Sequence, residues 1–144
     1  MGYNHQAHAR ALPDEFRLPF SEDLKGIMAV DKDGNLAGAC LFNSWSHNSC
    51  QIHIYIGSPF ILKHGFQQEV FNYVFNTCGM GAVVGVTPAD NSKALKFIKN
   101  IGLKELCRIP EGHDKGVDSV ITCLTKADCR WIYRLNGSGA IKHG

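Results

Sequence analysis

Two side chains able to transfer or hold a proton, His53 and Tyr55, alternate with isoleucines in the segment CQIHIYIG. An imidazole titrates near neutral pH, so His53 could take a proton from an ammonium group, directly or through one water. Tyr55 shares the same face of the segment and could position a bound substrate. The competing interpretation is that His53 is a hydrogen-bonded, half-buried sheet residue, and the sequence leaves both open.

Other reactive constellations are missing from the sequence. It contains no Ser-His-Asp order, no paired-carboxylate signature, no GxGxxG and no set of four metal ligands, so we predict no metal site. The six cysteines include no CxxC pair. Their apolar neighbours, as in VITCL, favour reduced and buried thiols.

Composition and net charge limit the classes of binding partner that we expect for this protein. The 144 residues fit one domain, and 44% hydrophobic with 19% charged residues is typical of a globular protein. A formal net charge of +2 argues against a dedicated nucleic-acid binder. No signal peptide and no apolar run of about eighteen residues is present, so we expect a cytoplasmic protein without a membrane partner.

The first half of the chain predicts three strands and a helix. GIMAV and LAGACLF flank DKDGN, which indicates a hairpin whose Asp33-Gly34 supplies positive-φ positions. CQIHIYIG alternates as a third strand, with isoleucines on one face and polar residues on the other. GFQQEVFNYVFN has apolar residues at helical spacing and ends at Cys78-Gly79.

The second half of the chain predicts a strand, a helix and two further strands. AVVGVTP predicts a buried strand that ends at Pro88, and ADNSKALKFIKNIG predicts an amphipathic helix from Asp90-Asn91 to Gly102. LKELCRI and SVITCLT follow as strands joined by the polar hairpin PEGHDKGVD. The order β-β-β-α-β-α-β-β predicts an α/β fold with a mixed, mostly antiparallel central sheet and flanking helices. We place this domain at residues 26–133, after a lead-in (1–25) with one short helix and before a flexible tail (134–144).

The segment VTPADNSKALKFIKNIGLKEL resembles the GNAT N-acetyltransferase family, whose penultimate helix commonly has N-x-x-A, then apolar residues, then Gly and a hydrophobe. Those positions are held by Asn91, Ala94, Phe97, Gly102 and Leu103. VFNYVFNTCGMGAVVGV and LTKADCRW further resemble short acetyltransferase-like proteins of phages and proteobacteria. The resemblance implies acetyl-CoA as co-substrate and an amine as acceptor.

The resemblance also implies where the cofactor binds. In the family, backbone N–H groups between the third strand and the next helix hold the CoA pyrophosphate. The corresponding LKHGFQ has Leu62 where the family has Arg or Gln, and Gln67 where it has a second small residue. Binding must then depend on amides near Lys63 to Gln68, aided by the side chains of Lys63 or His64. The cofactor residues implied are Ile56, Gly57, Lys63, His64, Gly65, Phe66, Gln67, Asn91 and Phe97.

Individual roles follow from the same resemblance. Ile56-Gly57 would contact the acetyl carbonyl and pantetheine through the main chain, and a backbone N–H there would stabilise the oxyanion. Asn91 would lie near the thiol end, although it could equally be a helix cap. The tyrosine that protonates the leaving thiolate in many members is replaced by Ile98. Direct attack by the amine tolerates that loss, because positioning supplies much of the rate.

Several weaker candidates complete the set. Glu69 is an alternative base, and His113 and Asp114 border the acceptor groove unless they form only a solvated turn. Lys93, Lys96 and Lys99 are more typical of a solvated helix face than of a phosphate contact. The short lead-in predicts an open acceptor groove or one completed by a second subunit in a homodimer.

The function implied is acetyl transfer from acetyl-CoA to an amine of a small molecule or protein. The replaced tyrosine and the incomplete glycine signature keep two alternatives open. One is an inactive GNAT-like binding or phage-structural module, and the other is a protein that binds CoA without turnover.

Overall fold

The computed structural model describes residues 22–135 and 141–143, and the short helix expected in the lead-in lies outside these ranges. Within them, six strands form one sheet in the order β1-β2-β3-β4-β6-β5. Only β3 and β4 pair in parallel, and every other pair in this sheet is antiparallel. The predicted mixed, mostly antiparallel sheet is therefore confirmed.

The first three strands form an antiparallel meander of β1 (Lys25–Val30), β2 (Leu36–Asn43) and β3 (Ser49–Ile56). The predicted hairpin joins the first two. Asp31 Oδ1 accepts hydrogen bonds from the N–H groups of Asp33 and Asn35, each at 2.9 Å. Gly34 adopts φ 84°, a conformation that glycine takes without steric cost.

A short 3-10 helix (Pro59–His64) connects β3 to helix α1 (Phe66–Asn72), which continues as a π-helical turn over Tyr73–Thr77. Gly65, at φ 86°, joins the two helical segments. The apolar side of α1 packs on the isoleucine face of β3, as its periodicity predicted. Phe71 and Phe75 stack there with ring centroids 6.1 Å apart.

Strand β4 (Ala82–Pro88) leads into helix α2 (Ser92–Asn100). The helix starts and stops where the sequence predicted. Asn91 Oδ1 accepts from the N–H of Ala94 at 3.1 Å, and Gly102 takes φ 113° after the last turn. Phe97 and Ile98 pack against the same core as α1, so both helices lie on one face of the sheet.

The last two strands are longer than predicted. β5 (Lys104–Asp114) and β6 (Val117–Thr125) extend into the polar segment that the sequence assigned to a hairpin loop. Their pairing shifts register between Ile109 and Asp114, and this irregularity accommodates Pro110 and Gly112. Two three-residue strands, β7 (Tyr133–Leu135) and β8 (Ile141–His143), pair where the sequence indicated no element.

The two faces of the sheet carry apolar clusters of different size. Ile52, Phe66, Val70 and Val83 belong to the larger buried cluster, beneath the helices. The opposite face has a smaller cluster of Met28, Ala39 and Leu41, against which Leu24, Leu36 and Tyr55 pack. The larger cluster is thus the main apolar contribution to stability.

Truncation of a residue in that cluster tests this assignment. Phe71 is 1% exposed, so Phe71→Ala should lower the free energy of unfolding by about 3–5 kcal/mol through lost burial and a cavity. Urea denaturation measures the change. Phe60→Ala, at a phenylalanine that is 66% exposed, is the matched control and should cost less than about 1 kcal/mol. Equal losses in the two variants would contradict the assignment.

Candidate active site

The site begins where β3 and β4 separate. Their parallel pairing covers only Ser49–Gln51 of β3 against Ala82–Val84 of β4. Beyond it, β3 continues to Ile56 beside β2, and β4 continues to Pro88 beside β6. The facing edges of the two strands therefore diverge and leave a gap in the middle of the sheet.

Main-chain directions along β3 decide which groups face the gap. The N–H groups of Gly57 and Ser58 both donate to Ala37 O, at 2.8 and 2.9 Å, and so point toward β2. Because successive residues of a strand point their N–H and C=O to opposite edges, those of Ile54 and Ile56 point to the gap. The predicted main-chain contact is thus available at Ile56, whereas the Gly57 N–H is already used within the sheet.

Main-chain groups of β4, on the opposite side of the gap, also point into it. Ala89 N–H donates to Asp118 O at 2.8 Å, toward β6, so the main chain of Val86 faces the gap. Pro88 also faces it and has no N–H to leave unpaired. The unpaired edges of β3 and β4 therefore face each other across the gap.

A cavity of about 370 Å³ occupies the gap. Strands β3 and β4, helix α2, Leu103 between α2 and β5, and the β5–β6 hairpin all contribute to its wall. The lining residues are Ile52, His53, Ile54, Gly85, Val86, Thr87, Pro88, Asn91, Ala94, Phe97, Ile98, Leu103 and His113.

His53 lines this cavity from the face opposite the helices, and it is half-buried. Its Nε2 lies 2.9 Å from Asn43 Oδ1. Burial lowers the pKa of the imidazole below its ordinary value. The ring is therefore neutral at pH 7. It is hydrogen-bonded and half-buried, as the sheet-residue interpretation expected, and it also borders the cavity, as the base interpretation requires.

Three side chains of the α2 segment lie on the other side of the cavity. Asn91, Phe97 and Ile98 all line it, which brings two predicted cofactor residues together with the position that lacks the tyrosine. The hydrogen bond from Ala94 shows that Asn91 is a helix cap. Capping and lining are compatible, because only Oδ1 is used by the cap.

The remaining predicted residues lie outside the cavity lining. Tyr55 packs against the small cluster of Met28, Ala39 and Leu41, and its hydroxyl lies 2.7 Å from where a Cβ on Gly57 would stand. Lys63 and His64 are exposed at the end of the 3-10 helix, while Phe66 and Gln67 are buried at the start of α1. The last four belong to the connection after β3, at the wide end of the gap.

That connection ends in a helix start. Glu69 N–H makes the first bond of α1, to Gly65 O at 3.0 Å. The N–H groups of residues 66–68 precede it and have no acceptor within the helix. The Oε1 atoms of Gln67 and Gln68 are buried and have no hydrogen-bond partner among the residues that the structure describes.

Sequence patterns missed three contributors to the site. Asn43 and Thr87 are ordinary strand residues with no motif around them. Gly85 is needed because a Cβ there would stand 2.7 Å from Thr122 Oγ1 and 3.3 Å from Leu103 Cδ2. His113 was a weaker candidate for the border of the acceptor groove, and the extended strands carry it to the cavity lining.

Three further features concern residues 22–135 and 141–143: candidate metal-ligand groups, the cysteines and the length of the helices. No group of three or more His, Cys, Asp or Glu side chains there is arranged to hold a metal ion. All six cysteines are free thiols, three of them buried and Cys107 exposed on β5. No helix in those ranges has the length and apolar character needed to cross a membrane.

Solved structures share this architecture. SpeG, the spermidine/spermine N-acetyltransferase of Vibrio cholerae, in complex with manganese ions, superposes with TM-score 0.63 at 15% identity, over 74% of this chain and 67% of that one. A chimera of the V. cholerae enzyme with hSSAT gives 0.66 at 14% identity, over 85% and 90% of the two chains. The V. cholerae spermidine N-acetyltransferase with CoA and spermine gives 0.59 at 18% identity, over 74% and 68%.

Sequence comparison alone does not detect a similarity to these proteins. No protein-family model matches the chain, and a search of curated sequences finds no significant relative. The similarity is one of strand order and helix placement. The chain therefore has the GNAT acyltransferase fold that its sequence resemblance implied.

Proposed function

We propose that this protein transfers an acetyl group from acetyl-CoA to an amine. The observation that carries the proposal is the gap between β3 and β4, which is open to both faces of the sheet and lined by unpaired strand edge. The structural neighbours include a spermidine N-acetyltransferase in complex with CoA and spermine, which supports the same chemistry.

The gap suits the pantetheine arm of CoA, which is narrow and carries two amide groups. The gap-facing N–H and C=O groups of Ile54, Ile56 and Val86 can pair with those amides as a neighbouring strand would. Phe97 and Ile98 of α2 supply apolar contact along one side. The N–H groups at the start of α1, beside Gly65, have no acceptor within that helix and can supply donors for the pyrophosphate at the wide end of the gap.

The two faces of the sheet separate the co-substrates. Helix α2 lines the gap from one face, whereas the side chains of His53 and Val86 lie on the other. A cofactor that enters beside α2 would present its thioester to an amine that approaches from the His53 side. His113 borders the same opening.

Bound acetyl-CoA would supply an activated thioester, and the residues of this chain supply the rest. His53 is neutral at pH 7 and can accept the proton that the attacking amine must lose. A gap-facing N–H of Ile54 or Ile56 can stabilise negative charge on the acetyl oxygen. No side chain at Ile98 can protonate the thiolate, so its departure depends on the low basicity of a thiolate and on solvent.

Direct attack is favoured over an acyl-cysteine route. Cys40 pairs with Ile54 across the β2–β3 ladder and is fully buried in the cluster beneath the helices, and burial raises the pKa of its thiol well above the ordinary value. Burial likewise raises the pKa of Cys50 to about 12. Both thiols are protonated at neutral pH, and a protonated thiol is a poor nucleophile.

The acceptor is best sought among amines of low charge. Among the residues that the structure describes, the cavity is lined by two histidines, an asparagine, a threonine and apolar side chains, with no carboxylate. A polyamine carries several positive charges and needs anionic partners when it leaves water. We therefore expect a monoamine with an apolar body to have a higher kcat/KM than spermidine.

Calorimetric titration with acetyl-CoA tests the proposed function first. We expect saturable binding, followed by release of the free CoA thiol when the amine panel is added. Saturable binding with no thiol release across monoamines, peptides and polyamines would support CoA binding without turnover. No heat of binding at millimolar acetyl-CoA would leave only the inactive, GNAT-like module.

His53→Ala tests the proposed base. It should lower kcat about 10²- to 10⁴-fold while the affinity for acetyl-CoA stays close to wild type. His47→Ala, at an exposed histidine outside the cavity lining, is the control. A parallel loss of folding stability and activity, measured by thermal melting and steady-state kinetics, would favour a purely structural histidine.

The pH dependence has a fixed sign. The neutral imidazole is the active form, so kcat/KM should fall as pH drops through a pKa below the ordinary histidine value, since burial lowers that pKa. Protonation also favours the unfolded chain, whose histidine binds protons at higher pH, so stability should fall in the same acidic range. If the acidic limb of the kcat/KM profile is unchanged in a weakly active His53→Gln variant, that limb belongs to a group other than His53.

Asn91 variants separate capping from cofactor contact. Asn91→Asp keeps an acceptor oxygen for the Ala94 N–H, whereas Asn91→Ala loses it and should cost about 1 kcal/mol of stability. If Asn91 also contacts the pantetheine arm, both variants should weaken acetyl-CoA binding. Wild-type affinity in Asn91→Asp, measured by calorimetry, would show that the side chain is a cap alone.

A further inference from the structure

Asn43 is the hydrogen-bond partner of His53 Nε2. It is the last residue of β2, where it pairs with Gln51 of β3, and His53 pairs with Leu41 two positions earlier. All four side chains lie on the face of the sheet opposite α1 and α2. Asn43 therefore reaches diagonally across the ladder, and its Oδ1 lies 2.9 Å from His53 Nε2.

This contact fixes which ring nitrogen carries the proton. A carboxamide oxygen only accepts hydrogen bonds, so the nitrogen opposite it must be Nε2–H. In a neutral ring the other nitrogen, Nδ1, then has a free lone pair. Within the part of the chain that the structure describes, His53 Nδ1 has no hydrogen-bond partner.

We infer that Asn43 is a positioning residue that holds His53 as its Nε2–H tautomer, so that Nδ1 is the atom that accepts the proton from the acceptor amine. The inference rests on the proposed acetyl transfer for its catalytic part. When Nδ1 takes the proton, the amine nitrogen loses its N–H bond and the ring becomes imidazolium. Nε2–H donates to Asn43 in both states, so the ring need not turn during the reaction.

A neutral partner has a particular advantage here. A carboxylate in the place of Asn43 would stabilise imidazolium and raise the pKa of His53, which would leave the base protonated near neutral pH. The amide orients the ring without adding that charge. Among the residues that the structure describes, the other titratable groups on this side of the sheet or in the cavity lining are Tyr55 on the same strand face and His113, neither of them a carboxylate. Cys40 pairs with Ile54, and its side chain lies on the opposite face, beneath the helices.

The tautomer is measured directly by nitrogen-15 NMR of the imidazole rings in the full-length protein, with His53→Gln used to assign the signals. We expect Nε2 to be the protonated nitrogen of neutral His53. Asn43→Leu should shift the ring toward a mixture of tautomers. An Nδ1–H tautomer in the wild-type protein would overturn the inference whether or not the protein has activity.

Kinetics test the consequence for catalysis. Asn43→Leu should lower kcat on the order of tenfold, less than loss of the base itself, with little change in acetyl-CoA affinity. Asn43→Asp keeps the acceptor oxygen, so it should recover activity at high pH and move the acid limb of kcat/KM to higher pH. Asn76→Leu, at an exposed asparagine whose side chain donates to Asn72 Oδ1, is the matched control and should behave as wild type.

The outcomes separate the two levels of the proposal. A correct tautomer together with wild-type kinetics and an unmoved pH limb in both Asn43 variants would overturn the positioning role. The positioning role would also be contradicted if both Asn43→Leu and Asn43→Asp lost activity at every pH while their thermal melting stayed intact. The acceptor oxygen of the aspartate would then fail to restore activity. Acetyl-CoA binding without acetylation of any amine by the wild-type protein would remove the proposed function and the proton-acceptor role, while the NMR result would still decide the tautomer.

Discussion

The parallel pairing of β3 with β4 lasts for three residue pairs, and the site depends on where it stops. A longer ladder would satisfy the outer edges of both strands and close the sheet. Because each strand keeps its other neighbour, β2 or β6, the sheet stays intact while its centre opens. Buried main-chain groups must find partners, so an edge left unpaired in the middle of a sheet is a binding surface for a molecule with amides of its own.

The surroundings of His53 follow from a second constraint, the cost of burying a polar ring. Burial alone lowers the pKa of the imidazole and keeps it neutral, which is the form needed for a base. A buried ring nitrogen without a partner would cost about 1–3 kcal/mol, and Asn43 removes that cost at Nε2. The contact that stabilises the fold is thus the same one that orients the ring.

Local patterns predicted the fold well because they report local physics. Alternation along β3, the Asp31–Asn35 turn and the capped helix from Asn91 to Gly102 are each specified by a few adjacent residues, and each is confirmed. The length of β5 was not predicted, since Pro110 and Gly112 are typical of loops and only the register shift keeps them within a strand pair.

The site was predicted less completely, because it depends on contacts between distant segments. His53, Asn91 and Phe97 were identified and do line one cavity. The partner of His53 was missed, since Asn43 is ten residues away and meets it only through the β2–β3 register. The choice between Ile56 and Gly57 needed the hydrogen bonds to Ala37, which no pattern in the sequence reveals.

The replacement of a tyrosine by Ile98 gains a physical explanation from this arrangement. Ile98 lies on the α2 side of the gap, among Phe97 and Leu103, where a hydroxyl would be surrounded largely by apolar side chains. The polar groups of the described cavity lining are instead the strand edges, the side chains of His53, Thr87 and His113, and Asn91 at the start of α2. A catalyst built in this way must obtain its rate from positioning, one neutral base and backbone donors, because its apolar wall offers no acid. Its activity should therefore be most sensitive to the acceptor's approach from the His53 face, where the proposed base lies.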